Sequence, residues 1–197
     1  MSSRLSIIEP GMLLNAYCQG IFPMGVEKGE LSWFSPDPRG IVPVHDYHVP
    51  RSVRAMLRDQ PFEIRVNSVF GEIIRNCGER RETWITKQIM ASYEVLHALG
   101  YAHSVEAWHE GELAGGLYGV SIGGAFFGES MFSKVSGGSK AALVWLMDHL
   151  SARDFTLHDT QWTTPHLAMF GGREIPRKQY LKQLAEAIRK PVKFTAS

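Results

Sequence analysis

The chain has 197 residues, 44% of them hydrophobic and 21% charged, with two cysteines and a net charge of +1. This composition excludes disordered, collagenous and disulfide-scaffold classes, and the length suits one full domain with its own core. No apolar run approaches a membrane span, the opening MSSRLSIIEP lacks a signal-like apolar stretch, and Cys18 and Cys77 have no zinc or redox spacing, so a cytoplasmic, metal-free protein is expected.

Residues 10–19 read as a short helix, with Pro10 in its first turn and Gly20 as its stop. Residues 20–40 are rich in Gly and Pro and are expected to form no regular element. They join a small N-terminal subdomain, 1–40, to a main domain, 41–197. Pro50 opens a basic helix to about Gln60, on which Arg51, Arg54 and Arg58 share a face. The alternation at 62–66 predicts a strand, and Asn67 a helix cap leading to Asn76. Thr86 caps a further helix that runs to Gly100. Three strands follow, 102–109, 112–121 and 125–132, joined by Glu110-Gly111 and Gly123-Gly124 into an antiparallel meander. Ser139 caps a helix to about Ala152, residues 155–161 read as a strand, 176–189 as a helix, and 192–194 as a last strand.

This order resembles the GNAT acyltransferase fold, an α/β (α+β) arrangement of a mixed twisted sheet with helices on both faces. In that fold the sheet splays between its fourth and fifth strands, here 125–132 and 155–161. Polar residues fall inside both: Glu129 in the first, and Asp159 and Gln161, two apart, in the second. A carboxylate in a central strand needs a partner or a role, either a structural hydrogen bond or a shared functional site. Leu143, Leu146 and Leu150 recur at helical spacing as a core stripe or a pocket wall. Trp33, Phe34 and Trp84 lie in expected loops, where they pack an interface or stack on a base. The three arginines form a solvated helix face or a phosphate-contacting one. Residues 171–197 add a second basic region, with seven basic side chains against two acidic ones. Ser136-Gly137-Gly138-Ser139 places glycines before a helix start, as a plain cap loop or an oxygen-binding one.

The runs Leu13–Tyr17, Gly20–Pro23, Ser35–Arg39, Thr83–Ile85, Leu96–Gly100, Ala102–Trp108, Gly115–Val120, Phe127–Ser133, Asp159–Gln161, His166-Leu167, Phe170-Gly171 and Glu174–Arg177 together resemble the bacterial leucyl/phenylalanyl-tRNA–protein transferases. The resemblance spans nearly the whole chain in order. It implies transfer of leucine or phenylalanine, and also methionine, from Leu-tRNA or Phe-tRNA to proteins with an N-terminal Arg or Lys, marking them for N-degron degradation. By motif, Glu129, Asp159 and Gln161 match the family's catalytic trio. Leu117, Phe126, Leu143, Leu146 and Leu150 match its amino-acid pocket, and Arg51, Arg54 and Arg58 its tRNA-backbone helix. Trp84 matches an aromatic at the terminal adenosine, with Met24 and Trp33 assigned to the same end of the tRNA. Met24 stands where some members carry a stacking tryptophan. A Gly-Gly-Asp-Leu run of the longer members is missing, so the resemblance is to the short form of the family.

The chemistry suits this assignment. An ester donor is already activated, so the site mainly orients an amine and a carbonyl; Asp159 is expected to orient the amine, Gln161 to align the donor or stabilise the intermediate, and Glu129 to fix donor or acceptor. No cofactor, CoA or metal is required. Two alternatives remain: a GNAT N-acetyltransferase using acyl-CoA, whose R/Q-x-x-G-x-G/A turn is missing before Ser139, and a non-catalytic tRNA-binding module, which the acidic trio suits poorly.

Overall fold

A computed structural model describes residues 6–79 and 83–195. The first five residues of the expected subdomain and the last two of the main domain lie outside them. Helix α1 (Pro10–Cys18) starts where the Glu9 side chain accepts from the Gly11 and Met12 N–H groups, the usual remedy for unpaired first-turn donors. The Gly/Pro-rich stretch is more ordered than its composition suggests. Strands β1 (Phe22–Gly25) and β2 (Leu31–Phe34) pair antiparallel as a separate two-stranded sheet, and β3 (Arg39–Val42) enters the main sheet. Four-residue strands survive between turn formers because each is held by a partner strand rather than by its own propensity.

Helix α2 (Arg51–Asp59), strand β4 (Glu63–Val66), and helices α3 (Phe70–Gly78) and α4 (Lys87–Ala98) follow. The α3 start differs from expectation. Asn67 takes φ +59° and accepts from Ser104 N–H, while the Ser68 and Val69 N–H groups donate to the buried Glu106 carboxylate. That carboxylate, reaching across from the neighbouring strand, is the anion favoured at a helix start. Thr86 caps α4 as expected, accepting from Ile89 N–H. The meander β5 (Ala102–His109), β6 (Glu112–Ile122) and β7 (Ala125–Ser133) is antiparallel throughout. Helix α5 (Gly138–Ala152) opens from Gly137 rather than Ser139; Gly137 has φ +95°, a conformation that suits glycine. Strand β8 (Leu157–Gln161), the short α6 (Pro165–Ala168), β9 (Arg173–Ile175) and α7 (Arg177–Ala187) complete the order. Residues 192–194 form no strand; instead Phe194 is buried against Phe126 and His149.

The main sheet runs β4-β5-β6-β7-β8-β3-β9. Among the described residues, only β7 and β8 pair in parallel. Helices α1, α3, α4 and α7 cover one face with a core around Tyr17, Ile73, Leu96 and Leu184; α2 and α5 cover the other around Val53, Leu146 and Phe155. The result is a mixed α/β architecture of three layers.

Two irregularities shape the centre of the sheet. Tyr118 pairs with Ser130 while its neighbour Gly119 pairs with Gly128, so Glu129 is an extra residue bulged out of β7. Phe127 and Phe132 therefore pack on one face and Phe126 and Met131 on the other, although a regular strand would place residues five apart on opposite faces. The second irregularity is a parting. The β7–β8 ladder ends at Phe127 and Asp159, while β7 continues to Ser133 and β8 to Gln161.

Candidate active site at the parting of two strands

A cavity of about 460 Å³ occupies the gap where β7 and β8 separate. Its apolar wall includes Leu117 from β6 and Leu143 and Leu146 from α5; Met24 and Trp84 line it from the other side. Glu129 and Gln161 supply polar groups.

Glu129 sits in a cage of hydroxyls. Its Oε1 accepts from Tyr17 OH at 2.7 Å and from Gln161 Nε2 at 3.2 Å, and its Oε2 from Tyr93 OH at 3.4 Å; the two tyrosine hydroxyls also meet. Burial pushes this carboxyl up to about 8, despite the opposing Tyr17 hydrogen bond, and the nearby Asp159 charge adds to the rise. Burial also pushes His158, which lines the cavity floor, down to about 4, so its ring is neutral at pH 7.

Asp159 has a different setting from the one expected. It is 0% exposed and lies off the cavity lining. Arg39 grips both carboxylate oxygens, at 2.9 Å through Nε and 2.7 Å through Nη2; Tyr180 OH donates to Oδ2 at 2.6 Å, and the Gln161 backbone N–H to Oδ1 at 2.9 Å. These bonds use up the acceptor positions that an incoming amine would need. Asp159 therefore fixes the strand end that carries Gln161. Arg39, 1% exposed, also donates to Gly20 O and lies against the Phe22 and Tyr180 rings, so one guanidinium joins three segments of the chain. Gln161 itself has φ +60°, and β3 is irregular at the same place, with Gly40 opposite Gln161 and Ile41 opposite Asp159. A side chain on Gly40 would come within 2.4 Å of the Trp162 backbone, so this close approach requires glycine.

Three further residues are placed away from the cavity. Phe126 is in the core behind it, against Phe194, and Leu150 lies one turn further along α5 than Leu146. Trp33 pairs with Pro23, whereas the lining residues Phe22 and Met24 stand on the alternate positions of that hairpin. Strand alternation therefore turns Trp33 outward, where it is 40% exposed. Arg51, Arg54 and Arg58 are exposed on α2. That helix abuts the turn leading into α5, since a side chain on Gly137 would meet Met56. Tyr17, Arg39, Tyr93, His158 and Tyr180 surround Glu129, Asp159 and the cavity, yet the sequence assigned none of them to the site. Among the described residues, no three His, Cys, Asp or Glu side chains group as metal ligands, and no helix is long and apolar enough to cross a membrane.

Glu129 supplies a direct stability test. Burial raises its pKa from the ordinary 4.5 to about 8, so its contribution to stability is expected to decline as pH rises through that window. Thermal unfolding of the wild type relative to Glu129→Gln should show the difference declining from pH 5 to pH 8.5. A flat difference would show that the carboxyl is ionised throughout.

Fold and site define a class of protein: a three-layer α/β chain whose parting sheet opens a cavity with an apolar wall beside polar side chains. Residues 41–185 match the family described as leucyl/phenylalanyl-tRNA protein transferase, and residues 7–37 match its N-terminal domain. Three relatives carry the name leucyl/phenylalanyl-tRNA–protein transferase. The one from Herpetosiphon aurantiacus is 50% identical, covering 95% of this chain and 97% of its own. Those from Akkermansia muciniphila and Salinibacter ruber are 48% and 47% identical, covering 95% and 92% of this chain and 98% and 80% of theirs. A solved structure, "The structure of L-PGS from Bacillus licheniformis", overlays 82% of this chain and 56% of that one, with a TM-score of 0.45 and 14% identity. The chain belongs to the leucyl/phenylalanyl-tRNA protein transferase family and is an aminoacyltransferase.

Proposed function

We propose that this protein moves leucine or phenylalanine from Leu-tRNA or Phe-tRNA to the N-terminal Arg or Lys of cytoplasmic proteins, giving them a destabilising N-terminus. The observation that carries this reading is the joining, in one cavity, of an apolar wall of Leu117, Leu143 and Leu146 with the polar pair Glu129 and Gln161. The wall takes the donor side chain, and Trp84 and Met24 pack the terminal adenosine. The parallel pair that parts supports taking the sheet as GNAT-like. The separate β1–β2 sheet supports an N-terminal subdomain, although Arg39 and Gly40 belong to the main sheet.

The acceptor α-amine, with a pKa of about 7.7–8, is partly neutral at pH 7. It attacks the ester carbonyl, the C–O bond to the adenosine ribose breaks, and the amine's proton passes through solvent to the departing ribose oxygen. Gln161 aligns the reactants, its side chain steadied by Glu129 and its backbone by Asp159. Burial holds the Glu129 proton in the empty site; that proton passes to solvent as the cationic acceptor N-terminus arrives, and the ammonium gives up its own proton to solvent before the amine attacks.

Incubating the protein and an Arg-terminated peptide with labelled Leu-tRNA, acetyl-CoA or uncharged tRNA tests this reading. Label from Leu-tRNA on the peptide α-amine supports it; acetylation alone, or tRNA binding without transfer, overturns it. Side-chain burial in the pocket is worth only about 1.5–3 kcal/mol, so affinity for a whole tRNA requires phosphate contacts. Neutralising Arg51, Arg54 and Arg58 together should raise the KM for aminoacyl-tRNA and flatten its salt dependence, by roughly 0.7–0.9 log units per lost contact per tenfold salt. Transfer from an aminoacyl-adenosine should be unchanged. Equal losses with both donors would remove the phosphate assignment.

A further inference from the structure

We propose that the bare edge of β7 beyond Phe127 binds the first residues of the acceptor polypeptide as an added parallel strand. This rests on the functional reading above and extends it to how the acceptor's main chain is held.

The β7–β8 ladder stops at Phe127 and Asp159, yet β7 runs on for six residues. Its other edge stays paired with β6 as far as Ser133. All six residues from Gly128 to Ser133 line the cavity. Neighbouring side chains in a strand point to opposite faces, so a consecutive run of lining residues marks an edge, not a face. In a strand, alternate residues direct their N–H and C=O groups to one side. Past the bulge, residues 130–133 pair regularly with β6, so by this alternation every second residue there turns its N–H and C=O to the gap that β8 has vacated.

The two substrates differ in what they offer such an edge. An aminoacyl ester carries one amine and one carbonyl on a nucleotide, with no repeating amide. A polypeptide repeats N–H and C=O at about 3.3 Å per residue, the spacing of a parallel strand. Direction follows from the polar groups. Glu129, the negative partner when ionised, and Gln161 lie where the gap opens, and Ser133 at the far end is exposed. An acceptor amine seated at Glu129 leads its chain outward past Ser133, parallel to β7 as β8 is. Main-chain pairing of this kind holds proteins with unrelated second and third residues equally well.

The test is a backbone scan of the acceptor. Arg-terminated peptides carry an ester oxygen in place of one amide N–H at residue 2, 3 or 4 in turn, with labelled Leu-tRNA saturating. Strand addition predicts a rise in peptide KM of roughly 5- to 100-fold where a paired N–H is lost. The rise should fall on alternate positions, leaving intervening ones within about twofold and kcat little changed. Uniform insensitivity, or an equal loss at every position, would overturn the proposal while leaving transfer itself standing. No transfer to the all-amide peptide would instead remove the functional reading, and this proposal with it.

Discussion

An Arg39→Met protein should lose about 3–5 kcal/mol of stability, the usual cost of stranding a buried charge by removing its partner. Asp159 is 0% and Arg39 1% exposed, and the guanidinium holds both carboxylate oxygens. Methionine keeps the apolar stem between the Phe22 and Tyr180 rings but gives Asp159 nothing in return. For a chain of this length each kcal/mol is worth about 2–4 °C, so the melting temperature should fall by about 6–20 °C. Adding Asp159→Leu removes the stranded charge, and much of the stability should return. Transfer should not, because the Gln161 backbone then loses its anchor. A single variant melting within about 2 °C of the wild type would show that the pair does not hold the sheet centre.

Gln161→Asn should separate position from fold. Asparagine accepts the φ of +60° observed at this site better than other non-glycine residues. The backbone N–H to Asp159 is retained, so melting should barely change. The amide, however, is drawn back by one carbon–carbon bond, about 1.5 Å. A displacement near 1 Å can cost about 10²-fold in rate, and kcat should fall by about that factor. Aminoacyl-tRNA binding should be little altered. Normal kcat in the folded variant would remove Gln161 from the reacting centre.

The sequence made some of this legible and hid the rest for physical reasons. Alternation and paired turns gave the β5–β7 meander, and polar residues inside apolar strands marked Glu129, Asp159 and Gln161. The bonding of Asp159 was hidden, because its partner Arg39 is 120 residues away in a four-residue strand. A strand so short has little periodicity of its own; it forms because β8 and β9 flank it. The bulge at Glu129 left no sequence signal, though it sets which face Met131 and Phe132 occupy. Trp33 was within reach: reading 22–25 and 31–34 as a hairpin would have put it on the face away from Met24. Helical spacing grouped Leu150 with Leu143 and Leu146 because period identifies a face, not how far along it a cavity extends.

The central claim is that one cavity selects an apolar aminoacyl group by shape and delivers it to an α-amine. A competition among Leu-, Phe-, Met-, Ile- and Val-tRNA for one Arg-terminated peptide, with the product sequenced by mass spectrometry, tests it most directly. The account predicts a single added residue on the α-amine, drawn from Leu, Phe or Met. Ile and Val should be disfavoured through their branching at Cβ, by about 1–3 kcal/mol, or roughly 10- to 200-fold. Equal incorporation of Ile or Val, or addition to a lysine side chain in place of the α-amine, would contradict it.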